Sequence, residues 1–178
     1  MATSDHHRTR LRALAHPLRL QILSLLTGEA MSAAEVARAL GCTQANASYH
    51  LRVLRTAGFV EPAEQVSIRG GQAVRYRYVS SSEHEDDDAP VTRLPVEEHL
   101  TAAAVLGQEL QRRTALRDPR HPGTTTDAEL WVRPEHWQQF QDAVRSASDA
   151  LHAHARPTRT RGTIRTSTTV SAFRMLQR

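Results

Sequence analysis

The residues of this chain with the clearest recognition chemistry lie between positions 43 and 77. Gln44 and Asn46 carry carboxamides, which can donate and accept in the fork geometry that matches the edge of adenine. Hydroxyl, phenol and imidazole groups stand beside them, and five arginines that follow are suited to phosphate. We therefore predict double-stranded DNA as the partner. The candidate DNA-binding residues are Thr43, Gln44, Asn46, Ser48, Tyr49, His50, Arg52, Arg55, Arg69, Arg75 and Arg77.

Two short helices joined at Gly41 are predicted to place the first part of this set. Ser32 and Glu35 have the spacing of a capping box, in which each side chain bonds the other residue's backbone N–H. Met31 and Val36 have the spacing of a hydrophobic staple. Gly41 can adopt the left-handed conformation that ends a helix and turns the chain. The pattern therefore predicts a helix, a tight turn and a second helix.

The second helix, residues 43–57, is amphipathic. Thr43 is the type of residue that caps a helix N-terminus, and apolar residues recur on one face. A helix that is buried on one face and polar on the other can enter the major groove and read base edges. The predicted buried face consists of Ala47, Leu51 and Leu54. The opposite face is predicted to present Gln44, Asn46, Ser48, Tyr49, His50 and Arg52.

A β-hairpin is predicted after this helix, because apolar and polar residues alternate on two arms. Gly70 and Gly71 between the arms suit a turn that needs positive φ. Arginines on the hairpin would contact phosphates or the minor groove, as the wing of a DNA-binding domain does. The alternative is a hairpin whose arginine face is only solvated. The apolar positions are Val66, Ile68, Val74, Tyr76 and Tyr78, and the arginines are Arg69, Arg75 and Arg77.

Two further helices are predicted upstream of the capping box. Residues 6–15 place Leu11 and Leu14 on one side of a first helix. Pro17 suits the first turn of a second helix, where its missing N–H does no harm. The core face of this second helix is predicted to be Leu18, Ile22, Leu25 and Leu26.

The same region resembles the ArsR family of bacterial winged-helix repressors. The recognition helix of that family typically reads Ser-Gln-x-x-x-Ser-x-His-Leu-x-x-Leu-x-x-x-Gly-Leu-Val, and residues 16–26 resemble its preceding segment. The resemblance covers residues 8–80 and implies a cytoplasmic transcriptional regulator with a winged helix-turn-helix domain. The positions that carry it are Thr43, Gln44, Ser48, His50, Leu51, Leu54, Gly58, Phe59 and Val60.

No catalytic, cofactor or metal motif is present in the sequence, and the prediction is a protein that is not an enzyme. Many ArsR relatives sense metals through a Cys-x-Cys before the recognition helix, and Ser32 and Ala34 stand at the matching positions. Cys42, in the turn between the two helices, is either an inert small residue or a thiol that responds to oxidants. The adjacent His6 and His7 and the acidic run 84–88 are interpreted as solvated rather than metal-binding.

Charge is distributed unevenly along the 178 residues, whose formal net charge is +4. Residues 1–80 carry a net +5, residues 81–151 a net −7, and residues 152–178 a net +6, with arginine as the only cation besides histidine. A basic first half fits a domain that binds a polyanion. No apolar run approaches the length of a membrane span, which favours a cytoplasmic protein.

A long helix is predicted over about residues 92–117. Its apolar stripe could close a seam between two helices, and the resemblance to the ArsR family implies a homodimer through the first helix and residues 94–114. Packing within one chain is the alternative. The stripe consists of Val96, Leu100, Ala103, Gly107, Leu110 and Thr114.

The remainder of the chain is predicted to hold a short strand or extended segment at 128–132 and a last helix that begins at Pro134. An apolar stripe on that helix is interpreted as core, and the alternative is the wall of a ligand pocket formed by the Trp131 to Leu151 region. Residues 156–178 are predicted to be a disordered basic tail. The stripe comprises Trp137, Phe140, Val144, Ala147 and Leu151.

The predicted fold class is mainly α with a small β-hairpin wing: a winged helix-turn-helix domain plus a C-terminal helical extension. The predicted regions are 6–80 for the DNA-binding domain, 81–91 for an acidic linker, 92–155 for dimerisation and extension, and 156–178 for the tail. The favoured function is a DNA-binding transcriptional regulator that acts as a homodimer on an inverted-repeat operator, and the resemblance implies a repressor. The alternatives are a winged-helix module that binds proteins, and a regulator that senses a thiol reagent or ligand through Cys42 or the C-terminal part.

Overall fold

The structure, a computed structural model, describes residues 2–68, 71–79 and 95–176, apart from the side chains of residues 2–7, 68 and 71. The acidic linker and Arg69 therefore lie outside the described residues, as does most of the predicted hairpin turn. The elements in chain order are α1 (Ala2–Leu14), α2 (Pro17–Leu26), β1 (Met31–Ser32), α3 (Ala33–Leu40), α4 (Gln44–Thr56), β2 (Val60–Ile68), β3 (Gly71–Tyr78), α5 (Val96–Thr114) and α6 (Pro134–Ala153).

One hydrophobic core joins α1 to α4 and the start of β2. Ile22, Val36, Leu51 and Leu54 are its largest fully buried side chains, so each of the three helices α2, α3 and α4 contributes to its centre. Burial of such side chains stabilises a fold by roughly 1.5–3 kcal/mol each, which makes this cluster the main support of α4. The predicted buried face of α4, Ala47, Leu51 and Leu54, is confirmed.

Local capping fixes the ends of the helix-turn-helix as predicted. Ser32 and Glu35 form the capping box at the start of α3, with the Ser32 backbone N–H donating to Glu35 Oε2 at 2.7 Å. Gly41 ends α3 with φ 67°, a conformation that a side chain would disfavour. The Thr43 hydroxyl then accepts from the Asn46 backbone N–H at 3.2 Å and begins α4. These contacts set the angle at which α4 leaves the turn.

The wing is a three-stranded antiparallel sheet in the order β1-β3-β2. The hairpin of β2 and β3 was predicted, whereas the third strand was not. β1 consists of two residues only, Met31 paired with Tyr76 and Ser32 paired with Arg75. Because β1 leads directly into α3, this pairing attaches the wing to the helix-turn-helix.

α5 packs against α1 and α2 through a face other than the predicted stripe. Ala102 and Glu109 are the buried residues of this helix. The Glu98 carboxylate forms ion pairs with Arg8 at 3.2 Å and with Arg12 at 3.0 Å, and these connect the start of α5 to α1. Near its end, Arg113 donates to the Ser24 hydroxyl at 3.3 Å, which ties it to α2.

The part of the chain after α5 agrees only in part with the predictions. Of the two alternatives predicted for residues 128–132, a short strand or an extended segment, the strand does not form. Pro134 begins α6 as expected, but this helix has no buried residue, so its apolar stripe is not core. Trp137 and Phe140 stack on each other with ring centroids 5.8 Å apart. Among the described residues, no helix combines the length and the apolarity required to cross a membrane.

Candidate nucleic-acid interface

The outward face of α4 is defined by what the helix buries. Successive residues of an α-helix are rotated by about 100°, so the buried stripe of positions 47, 50, 51 and 54 places positions 45, 49, 52 and 56 opposite it. All four are exposed, and Tyr49 retains 54% of its accessible surface. Ala45, Tyr49, Arg52 and Thr56 therefore form the centre of the surface that α4 offers to a partner.

The predicted carboxamides flank this centre. Gln44 and Asn46 are exposed, and no described residue binds their side chains. Ser48 is half-buried on the side of Gln44. Arg52 donates weakly to the Ser48 carbonyl at 3.4 Å, and Arg55 is exposed near the C-terminal end of the helix. The α4 surface thus brings together two carboxamides, a phenol and two guanidinium groups that are accessible to solvent.

His50 was predicted on this surface, and that prediction is wrong. Its side chain is only 4% exposed, and its ring centroid lies 4.4 Å from that of His16. Position 50 is three residues after Ala47 and four before Leu54, so it belongs to the buried stripe. The helical spacing contained this signal, but the polarity of histidine favoured the exposed interpretation. His50 packs on the buried face of α4, and its side chain does not reach a base from this position.

The histidine pair lies against α2, in a poorly solvated and cationic environment. His16 caps α2 by accepting from the Leu18 backbone N–H through Nδ1 at 3.1 Å. Buried Arg19 lies near both rings and donates to the carbonyls of Arg12 and Ala13 at the end of α1. Burial lowers the pKa of His50, and the neighbouring His16 and Arg19 lower it further. Burial, and then Arg19, also lowers the pKa of His16. The fold therefore favours neutral imidazoles beneath α4.

Arg75 is the link between the wing and the helix-turn-helix. Its Nε donates to Glu35 Oε2 at 3.1 Å and its Nη2 to Glu35 Oε1 at 2.7 Å, a fork geometry. Its Nη1 donates to Glu64 Oε1 at 2.8 Å. All three guanidinium nitrogens thus have carboxylate partners in this structure, and the phosphate contact of Arg75 stays a prediction. The sequence pattern could not show the pairing with Glu35, since Glu35 precedes Arg75 by forty residues.

Glu35 therefore serves two structural tasks at once. It completes the capping box of α3 and forms an ion pair with Arg75 of β3. The hydrogen bonds from Arg75 lower the pKa of Glu35 to about 2, with the backbone and hydroxyl of Ser32 contributing further and burial opposing. The carboxylate stays ionised near neutral pH, so the Arg75–Glu35 ion pair that joins the wing to α3 persists there. We call this ion pair the clamp.

Arg77 is the more available cation of the described wing. It forms an ion pair with Glu61, the residue directly opposite on β2, and both side chains are about half exposed. Exposed pairs of this kind contribute little to stability, typically about 0–1 kcal/mol. Arg77 could therefore exchange its carboxylate partner for a phosphate at low cost.

Ala45 is a candidate contact that sequence reasoning missed. It is exposed at the centre of the α4 surface, one turn before Tyr49. A methyl group in such a position can contact the methyl group of thymine in the major groove. The helical angle of position 45 relative to the buried stripe identifies it, whereas its lack of a polar group hid it.

The described residues contain no group of three or more histidine, cysteine, aspartate or glutamate side chains placed to hold a metal ion. Cys42 is a free, half-buried cysteine in the turn before α4.

Comparisons with known proteins bear on the helix-turn-helix. Residues 14–63 match the model of a family described as a helix-turn-helix domain, which confirms that part of the fold. A search of curated proteins gave no match.

The solved structures that are similar to this chain include the following two. NolR from Sinorhizobium fredii is 28% identical over 46% of this chain and 76% of its own, with a TM-score of 0.39. A fragment of Mb0332 from Mycobacterium bovis is 23% identical over 70% of this chain and 92% of its own, with a TM-score of 0.40. That fragment is described as a homodimeric winged helix-turn-helix DNA-binding domain and a possible ArsR-family transcriptional regulator.

Proposed function

We propose that this chain, a winged helix-turn-helix protein of the ArsR type, represses transcription by binding an inverted-repeat DNA operator as a homodimer. The observation that carries the proposal is the surface of α4. It presents Gln44, Asn46 and Tyr49 to solvent while the opposite face is fixed in the core. Such a helix is rigid enough to read base edges, and its dimensions fit the major groove.

The wing supports the same interface from the side. Pairing of β1 with β3 and the Arg75–Glu35 clamp hold the hairpin at a fixed position relative to α3. Arg77, and by prediction Arg69, would then contact phosphates or the adjacent minor groove. Arg52 and Arg55 would contact phosphates at the edges of the groove that α4 enters.

The homodimer rests on the exposed stripe of α5. Val96, Leu100 and Leu110 are 61%, 62% and 48% exposed, although they are large apolar residues on one helical face. Nothing in the described part of the chain covers this face. A two-fold axis along α5 would bury it and would present two copies of α4 to DNA, which gives a two-fold symmetric site.

Selection of bound sequences from a random DNA pool, using the full chain, tests the proposal first. We expect an inverted repeat whose half-sites are separated by about one helical turn, roughly 34–36 Å centre to centre. Recovery of no preferred sequence, or of a single asymmetric site, would contradict the proposal.

Substitutions then test which residues read the selected operator. We expect Gln44→Ala to weaken operator binding by roughly 1–3 kcal/mol and to leave binding to random DNA nearly unchanged. Arg55→Ala should weaken both by similar factors and reduce the salt slope of log K by about 0.9, as loss of one phosphate contact does. Gln139→Ala, an exposed glutamine on α6, is the matched control and should change neither. Equal effects of Gln44→Ala on operator and random DNA would exclude α4 as the reading element.

A further inference from the structure

The segment that follows α6 is anchored to the winged domain. A Cβ built on Gly28 would lie 2.4 Å from the carbonyl oxygen of Arg156, so the backbone of the segment passes directly over the turn after α2. The last turn of α6 adds a second contact, with the His152 and Tyr78 ring centroids 5.4 Å apart. The segment thus begins at a fixed point beside the base of the wing.

Two successive turns shape the next residues. The Thr160 backbone N–H donates to the Pro157 carbonyl at 3.2 Å, and the Thr163 N–H donates to the Thr160 carbonyl at 3.2 Å. In each turn the threonine hydroxyl donates to the same carbonyl, at 2.7 and 2.6 Å respectively. The third residue of each turn has positive φ, 65° at Arg159 and 81° at Gly162. We call residues 157–163 the double turn.

Arg159 is the only non-glycine residue with positive φ in the described part of the chain. A long side chain in this conformation is uncommon, and glycine would be the unstrained choice there, as at Gly162. An arginine at a strained turn position favours a role for its guanidinium group over a role in the turn itself.

The double turn and the residues around it are strongly cationic. Residues 156–176 contain five arginines and no acidic residue. All five are exposed, and none pairs with a carboxylate of the described residues. Arg75 and Arg77 of the wing differ from these arginines, because both have carboxylate partners. The cations concerned are Arg156, Arg159, Arg161, Arg165 and Arg174.

We propose that the double turn and the residues after it form a second cationic contact, which binds the phosphates of duplex DNA that flank the site read by α4. This inference rests on the proposed function, and it extends the contact beyond the helix and the wing. Free guanidinium groups bind phosphate well, and a contact of this kind carries no sequence information.

Distances allow such a contact. β3 has eight residues and spans about 26 Å from the base of the wing to its tip. The thirteen residues from 164 to 176 lack helix and strand and could extend by about 43 Å beyond the double turn. The cationic segment can therefore pass the wing tip from its anchor beside Gly28.

The experiment compares the full chain with a triple variant, Arg159→Gln, Arg161→Gln and Arg165→Gln. Binding to a mixed-sequence DNA duplex and to the selected operator is measured by fluorescence anisotropy over a series of NaCl concentrations. We expect the slope of log K against log salt to fall by about 2–3 in magnitude on both duplexes, because each lost phosphate contact removes about 0.9. The three substitutions lie in exposed positions outside the core, so folding should persist.

Two controls keep the test specific. Arg133→Gln removes an exposed arginine before α6 and should leave the slope unchanged. The triple lysine variant at positions 159, 161 and 165 retains the charges and should keep most of the slope. An unchanged slope in the triple glutamine variant, or an equal loss in Arg133→Gln, overturns the inference.

The outcome is distinguishable from failure of the proposed function. If Gln44→Ala weakens binding to the operator but not to random DNA, while the triple glutamine variant has the slope of the unaltered chain, α4 reads DNA and the second contact is absent. If the full chain binds neither duplex, both proposals fail.

Discussion

The imidazole of His50 lies beneath α4, where protonation would place a positive charge between His16 and Arg19. Burial lowers the pKa of both histidines in the folded protein, while the unfolded chain keeps the ordinary value of 6.5. The unfolded state therefore binds more protons at mildly acidic pH, and stability falls as pH decreases below 6.5. We expect the urea midpoint to fall steadily between about pH 7 and about pH 5. Circular dichroism of urea titrations at each pH measures it.

His50→Leu provides the matched variant, because leucine fills a similar volume without a proton to bind. The decrease in the urea midpoint below pH 6.5 should be smaller in this variant, since one of the two imidazoles with a lowered pKa is gone. Operator selectivity should be retained because the ring does not reach the α4 surface. Loss of selectivity in a variant that remains folded would restore His50 as a base contact.

The contacts of Arg75 with Glu35 and Glu64 lead to a prediction about the free energy of unfolding. Arg75→Ala removes three hydrogen bonds to two carboxylates, and we expect the free energy of unfolding to fall by about 1–3 kcal/mol. Arg77→Ala is the control, since its exposed pair with Glu61 should contribute only about 0–1 kcal/mol. Equal losses in the two variants would show that the clamp is no stronger than a surface pair.

The same clamp predicts a dependence on acid. Because the pKa of Glu35 is lowered to about 2, the stability it contributes is present above the ordinary value of 4.5 and is lost as pH falls from 4.5 towards 2. This part of the acid sensitivity should be reduced in Arg75→Ala, since hydrogen bonds from Arg75 are the main cause of the shift. Urea titrations of both proteins across this pH range measure the difference.

At the scale of elements, one face of α5 packs inside the chain, and the described residues leave its apolar stripe uncovered. Gly107 lies on this stripe, and a Cβ added there would meet nothing within 4 Å in the described residues. Alanine is favoured over glycine in a helix interior by roughly 0.5–1 kcal/mol, so Gly107→Ala should stabilise the isolated subunit. A partner backbone that approaches closely at this glycine would instead be displaced.

We therefore expect Gly107→Ala to raise the dimer dissociation constant, measured by sedimentation equilibrium, while it raises the thermal midpoint of the monomer at low concentration. Gln108→Ala, the next residue on the helix, is the control and lacks the steric effect at the seam. Unchanged dissociation in Gly107→Ala would place the partner surface elsewhere.

The elements also show what could be read from sequence. α3 and α4 were predictable because their determinants are local: the Ser32–Glu35 box, the left-handed Gly41 and the Thr43 cap. β1 was not, because its two residues form a strand only through pairing with Tyr76 and Arg75. The stripe of α6 shows the remaining limit, since helical periodicity predicts an apolar face without specifying what covers it.

For the candidate site too, features with local determinants were predictable from the sequence and features that depend on tertiary contacts were not. Exposure of Gln44, Asn46 and Tyr49 followed from the apolar stripe of α4, which local spacing reveals. Burial of His50 was also contained in this spacing, since position 50 lies on the buried stripe, but the polarity of histidine favoured the exposed interpretation. The engagement of Arg75 is tertiary, because it depends on Glu35 forty residues earlier.

Over the whole molecule, the buried residues are concentrated in the first two thirds of the chain. Every buried residue of the described part lies between Ala13 and Glu109, and the chain beyond α5 adds only surface contacts such as Tyr78–His152. Stability should therefore depend on α1 to α5 and hardly on α6 or the cationic segment. A chain ended after residue 117 tests this dependence, and a chain ended after residue 95, which lacks α5, is the comparison.

We expect the chain ended after residue 117 to unfold in one cooperative transition, with a thermal midpoint within about 5 °C of the full chain. The chain ended after residue 95 uncovers the surfaces of α1 and α2 that α5 contacts and leaves Arg8 and Arg12 without Glu98. Its midpoint should fall much further. Differential scanning calorimetry of the three chains gives the comparison. A large loss already at residue 117 would mean that α6 stabilises the winged domain through its few contacts, and α6 would then be part of the folded unit.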